Sequence, residues 1–206
     1  NRAAHALAEE GEPEGVVVIA EAQNRGQGRV GRNWVAPAKL NLYISFVLRP
    51  QLDPAEAAKI TLLAAVAVAD TLGGLFSVCP RIKWPNDVLL RGRKVAGILS
   101  ELACEANQTL FVIVGIGINL NFPRVLMPPE LRNRATSVME EVGTPVDRIM
   151  VTRSLVQNME KRYIEFEARG FDPIARRWNT YARIEGRWVR ARMGKGDLVG
   201  RVRELD

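Results

Sequence analysis

Apolar and polar positions alternate along this chain with two periods, and the switches between them divide it into elements. Arg2 to Glu10 reads as a short helix ended by Gly11. Val16 to Ala20 is a short apolar run, expected to be a buried strand, and Asn41 to Leu48 alternates like a strand and stops at Pro50. Between them, Glu21 to Pro37 is polar and rich in Gly and Arg, as a loop would be. Asp53-Pro54-Ala55-Glu56 predicts a helix start, with Asp53 as cap and Pro54 in the first turn. That helix is Ala- and Leu-rich and is expected to run to Leu72 and end at Gly73-Gly74.

The second half follows the same rules. Arg81 to Val88 contains a Pro-Asn-Asp turn signal, and Val88–Leu90 with Lys94–Leu102 predicts a hairpin turning at Arg91-Gly92-Arg93. Leu110 to Ile116 is another apolar strand, 123–134 a loop. A long amphipathic helix is expected from Thr144-Pro145 to Gly170, and a shorter one over Pro173–Tyr181. After Arg183 two short alternating strands, 188–192 and 198–202, are joined by a Gly-Lys-Gly turn. They look like the start of a small β-barrel and are too few for an independent β domain.

Composition narrows the chemistry. The 206 residues suit one sizeable domain with a small appendage. The most apolar stretch, Ile60 to Ala69, is about half the length of a membrane-spanning helix. No signal peptide is apparent, so a cytoplasmic protein without a membrane segment is expected. Cys79 and Cys104 form no framework and no metal spacing, and are expected as buried or half-buried free thiols. The single histidine, His5, argues against a Ser-His-Asp triad and against zinc sites built on several histidines. Any chemistry must use Lys, Arg, Asp, Asn and backbone groups. The net charge is +6, and residues 161–206 hold 12 Lys or Arg against 7 acids. That face suits either plain solvation or an acidic partner or nucleic acid.

Four segments carry candidate chemistry. In Glu21–Trp34 three glycines alternate with cationic and amide residues after a strand. Glycine lets backbone N–H groups converge on an anion, and arginine adds a planar donor fork. Trp34 offers a stacking face. In Lys83-Trp84-Pro85-Asn86-Asp87-Val88 the proline fixes a turn, and Asp87 opens the next strand, where it could hold a cation or simply close an Asx turn. Arg93-Lys94-Val95-Ala96-Gly97-Ile98-Leu99 puts one of only six lysines against small and apolar neighbours. In Gly115-Ile116-Gly117-Ile118-Asn119 a strand ends in glycines and an amide that could read a base edge.

Together these segments resemble the catalytic domain of biotin protein ligases. The Gly26–Arg32 loop resembles that family's Gly-Arg-Gly-Arg-x-Gly-Arg loop. The Lys-Trp-Pro-Asn-Asp, Lys-x-x-Gly-Ile-Leu and Gly-x-Gly-x-Asn segments are intact at 83–87, 94–99 and 115–119. The resemblance implies an α/β (α+β) fold of the class II synthetase-like type, a mixed β-sheet with flanking helices over 1–182. It implies a partial SH3-like β-barrel over 183–206. It also implies ATP-dependent, Mg2+-assisted activation of biotin to biotinyl-5′-AMP, then transfer to a lysine of the biotin carboxyl carrier domain of a biotin-dependent carboxylase.

By the same resemblance Lys94, Arg29 and Asp87 are catalytic, with Asp87 also near the metal. Gln23, Gly26, Gln27, Gly28, Arg29, Lys94, Gly97 and Gly115 would line the biotin pocket. Arg29, Arg32, Trp34, Asn86 and Asn119 would lie on the nucleotide side. Gln27 stands where the family usually has Arg or Lys, and Arg25 where it usually has a small residue. The Ser-Thr dipeptide that usually precedes Asn1 is not in the sequence, nor are the later barrel strands, so trimming at both ends is expected. Lipoate-protein ligase, biotin-responsive DNA-binding repressor and general nucleic-acid module are the rival readings. No DNA-binding domain is expected in this chain, and homodimerisation is left open.

Overall fold

The structure is a computed structural model and describes residues 1–106, 108–193 and 196–203; the expected turn residues at 194–195 lie outside them, and Arg192 and Met193 are described as backbone only. Six strands form one sheet in the order β1-β2-β6-β5-β4-β3. They are β1 (Val17–Ala20), β2 (Leu42–Leu48), β3 (Arg81–Lys83), β4 (Asp87–Leu90), β5 (Arg93–Glu105) and β6 (Gln108–Ile118). All five pairings are antiparallel, and the parallel element is an isolated bridge between Lys94 and Ala135.

One face of the sheet is covered by α2 (Ala58–Leu75), α4 (Arg148–Arg169) and α5 (Asp172–Ala182). The main core lies there, with Ile44, Phe46, Val114, Ile116 and Ile98 of the strands against Ile60, Leu63, Val68, Leu155 and Trp178 of the helices. α1 (Arg2–Glu9) covers part of the opposite face, where Ala4 and Ala8 pack on Val47, Phe111 and Ile113. His5 joins that patch through an edge contact with Phe111 at 5.1 Å.

Several expectations are corrected. The helix expected to stop at Gly73-Gly74 continues to Leu75. Each glycine costs about 1 kcal/mol in a helix interior, and the packed face outweighs it. Asp53 does not cap through its side chain, because the Glu56 N–H bonds the Asp53 carbonyl at 2.9 Å and residues 54–56 form a 3-10 turn before α2. Residues 54–75 are long and apolar enough to cross a bilayer, yet 67% of that window is buried, as in a core helix. β1 is a half-buried edge strand, with Ile19 52% exposed, whereas β2 is buried on both faces despite its alternation. α4 begins later than expected, at Arg148, because Asp147 accepts from the Ile149 and Met150 N–H groups at 2.7 and 3.3 Å. A short helix, α3 (Val138–Val142), was not anticipated. Cys79 and Cys104 are free but exposed. The C-terminal strands β7 (Trp188–Met193) and β8 (Gly196–Arg201) form the expected hairpin.

Candidate functional site

The face left open beside α1 holds a cavity of about 1170 Å³. Its floor is made by absence. Gly97 of β5 and Gly117 of β6 are directly opposed, Leu99 opposes Gly115, and Gly115 also opposes Ser45 of β2. On β6, Phe111 and Ile113 are the apolar residues of this face, and at the next two positions of the same parity glycine removes the side chain.

The 21–37 loop folds over this floor. Gly28 N–H donates to the Arg32 carbonyl at 2.6 Å and Trp34 N–H to the Gly26 carbonyl at 2.9 Å, so the loop returns on itself. Val30 and Gly31 take positive φ at its tip, where glycine is tolerated and valine is strained. The return carries the Trp34 ring onto the glycine floor. A β-carbon on Gly117 would sit 2.7 Å from that ring and one on Gly97 3.2 Å from it. Gly26 is required for the same reason, because a β-carbon there would overlap the Trp34 carbonyl. The Trp34 indole N–H is buried without a partner among the described residues.

Lys94 reaches the floor through a defect in the sheet. Leu89 pairs with Lys94 and Val88 with Ala96, leaving Val95 as an extra residue on β5. In a regular strand residues 94 and 97 face opposite sides, and a bulge re-aims one of them. The Lys94 amine consequently lies 2.5 Å from Asp87, 5.3 Å from the centre of the Trp34 ring and alongside Gly97. Both members of the pair are partly open to the cavity, at 31% and 25% exposure.

Twelve of the thirteen residues singled out from sequence line this cavity; Gly26 shapes the loop without lining it. The polar ends of two are already in use. Asn86 donates to the Ile98 carbonyl at 2.8 Å. Asn119 donates to the Thr136 carbonyl at 3.0 Å and accepts from Asn41 at 3.5 Å, so its amide also braces the wall. Arg2, Tyr43, Ser45, Lys83, Glu101 and Arg134 were not anticipated; of these only Lys83 sits in a segment the sequence singled out. Tyr43 donates to the Pro37 carbonyl at 3.0 Å, and burial pushes its phenol up to about 12. Seven Lys or Arg side chains face two carboxylates, Asp87 and Glu101. Such a wall attracts polyanions and strengthens as water leaves. Among the described residues no three His, Cys, Asp or Glu converge as a metal site.

The Biotin/lipoate A/B protein ligase family model matches residues 3–119. The chain belongs to this family. It is 38% identical over its whole length to the bifunctional ligase/repressor BirA of Bacillus spizizenii, and spans 63% of that protein. It is 37% identical over 92% of its length to the biotin--[acetyl-CoA-carboxylase] ligase of Paracoccus denitrificans, spanning 80% of it. Among solved structures it superposes on the Aquifex aeolicus biotin protein ligase in complex with biotin and ATP. The TM-score is 0.82 at 29% identity, covering 98% of this chain and 83% of that one.

Proposed function

We propose that this chain is the catalytic part of a biotin protein ligase. It forms biotinyl-5′-AMP and pyrophosphate from biotin and ATP, then transfers biotin to a lysine of a carboxyl carrier domain. The observation that carries this reading is the Lys94–Asp87 pair beside a glycine floor in a cationic cavity. Relatives and a structural neighbour named for biotin ligation support it.

The first step joins two anions. A carboxylate oxygen of biotin attacks the α-phosphorus, and the bond to pyrophosphate breaks. Cations held in place before the reaction offset the repulsion without reorganising. Lys94 is the central one, reaching both the biotin carboxylate and the α-phosphate. Arg29 and Arg32 hold the phosphates. Gln23, Gln27, Gly28, Gly97 and Gly115 shape the biotin side, and Trp34, Asn86 and Asn119 the nucleotide side. Trp34 leaves the Gly97–Gly117 floor as the ligand takes its place. Mg2+ draws most of its ligands from water and phosphate oxygens. A lone carboxylate therefore suits a nucleotide-borne Mg2+; Asp87, paired with Lys94, would be the group that holds it, and the ion would supply charge neutralisation at the phosphates. In the second step the carrier lysine attacks the acyl carbon and AMP leaves; Asp87 takes up the proton released by the amine. The folded-over loop keeps water from the mixed anhydride.

The test is exchange of labelled pyrophosphate into ATP. Exchange that requires biotin, is absent with lipoate and falls about 10³-fold in Lys94→Ala supports the proposal. Lipoate-dependent exchange would replace biotin by lipoate, and no exchange with either would end the ligase reading.

A further inference from the structure

Both backbone polar groups of Lys94 are bonded to the segment that follows the 123–134 loop. Its N–H donates to the Arg134 carbonyl at 2.8 Å, and its carbonyl accepts from the Thr136 N–H at 2.9 Å. The Thr136 hydroxyl donates to Glu141 at 2.6 Å. The same carboxylate oxygen accepts from the Arg93 guanidinium at 2.8 Å, one residue before Lys94. Arg91 Nε lies 3.3 Å from the second oxygen, an ion pair without hydrogen-bond alignment. The Glu141 side chain is only 1% exposed, sits on α3, and stays behind the cavity wall.

A carboxylate is removed from water only where partners replace its hydration. The partners here flank the lysine in space. Arg91 and Arg93 belong to the tight β4–β5 turn, in which Arg91 and Gly92 both take positive φ. Thr136 belongs to the loop return that clasps the Lys94 backbone. One buried group thus ties the turn, the bulged strand and the loop return together at the lysine.

We propose that Glu141 is a positioning residue for Lys94. By holding Arg93 and Thr136 it locks the Lys94 backbone, which keeps the amine at Asp87 above the glycine floor. It touches neither substrate nor the reacting atoms. The activity arms of the test rest on the ligase reading; the spectroscopic arm does not.

Glu141→Ala is expected to lower the rate of biotin-dependent exchange about 10- to 100-fold, as for a group displaced by a fraction of an ångström to an ångström. The biotin KM is expected to stay within about threefold. Glu141→Gln keeps an acceptor for Arg93 and Thr136 and restores most of the rate. In a Lys94→Ala background the same Glu141→Ala change costs less than about twofold, because the group it positions is gone. Equal losses in both backgrounds would mean plain destabilisation and would overturn the proposal. Thr136→Val removes a single hydroxyl and is expected to behave the same way if Glu141→Ala fails to fold. The Lys94 side-chain resonance, assigned by its loss in Lys94→Ala, is expected to move toward exposed lysines in Glu141→Ala or Thr136→Val but not in Glu141→Gln. An unmoved resonance overturns the proposal whatever the activity. A moved resonance in a chain without exchange would remove the ligase reading and leave the positioning role standing.

Discussion

The two faces of the central sheet are made by the same strands and have opposite characters. On β6, Val112, Val114, Ile116 and Ile118 all enter the main core under α2, α4 and α5. The intervening positions begin as Phe111 and Ile113 against α1 and continue as Gly115 and Gly117 under the cavity. Packing is filled on one side and withheld on the other at adjacent positions of one backbone, Val114 beside Gly115 and Ile116 beside Gly117. The ionic groups differ in the same way. Behind the sheet, Asp70 is 4% exposed and fully engaged by Arg162 at 2.8 Å, Arg177 at 2.6 Å and Tyr181 at 2.6 Å. In the cavity, Lys94 and Asp87 pair with each other and stay open to what enters. The difference teaches that stability and chemistry occupy opposite faces here, so a substitution's effect depends on the parity of its position.

Lys94→Ala tests the open face most severely. Exchange is expected to fall about 10³-fold, the scale of removing one charge-stabilising group, with thermal stability nearly unchanged; retained exchange would break the assignment. Asp70→Ala is the counterpart behind the sheet. It leaves the Arg162 Nε, on a side chain 9% exposed, without its acceptor while Glu165 still pairs with that guanidinium at 2.6 Å, and is expected to cost about 1–3 kcal/mol in denaturant unfolding with the biotin KM unaltered. Arg177 is 42% exposed and contributes less, because water re-solvates it. A changed KM would show that the faces are coupled.

Neighbouring residues sharpen the contrast. Ile116→Ala is expected to lose about 2–4 kcal/mol of stability and little activity. Gly117→Ala puts a β-carbon into the floor space that the Trp34 ring fills here, 2.7 Å from that ring, and that the ligand needs once Trp34 has left; it is expected to raise the biotin KM about tenfold at similar stability. Equal effects on both measurements would dissolve the distinction.

A last contrast appears at high pH. The chain has 3 tyrosines, and burial is the main cause holding all of them above the usual phenol range. Tyr43 and Tyr181 are pushed up to about 12, Tyr181 also by Asp70. The folded state binds these protons more tightly than the unfolded one, so their stabilisation is intact below about pH 10 and is lost as pH rises toward 12. Phenolate absorbance is expected to appear together with loss of structure. A phenol titrating near pH 10 in the folded protein would contradict the burial of these rings.

Short-range pattern made much of this protein readable. The hairpin around Arg91–Arg93, the strands, the long helix to Gly170 and the Lys-Trp-Pro-Asn-Asp, Lys-x-x-Gly and Gly-x-Gly segments follow from residues a few positions apart. That is the range over which periodicity, turn chemistry and motif spacing act. By itself the sequence determined which residues could do chemistry and roughly which strands and turns carry them. The tertiary structure alone decided where they meet. The bulge beside Val95 brings Lys94 round to the face of Gly97, the loop return seats Trp34 on glycines about 60 and 80 residues away, and α3 sets Glu141 behind the lysine. Those placements depend on contacts between distant segments, and a local pattern of apolar and polar positions carries no term for them.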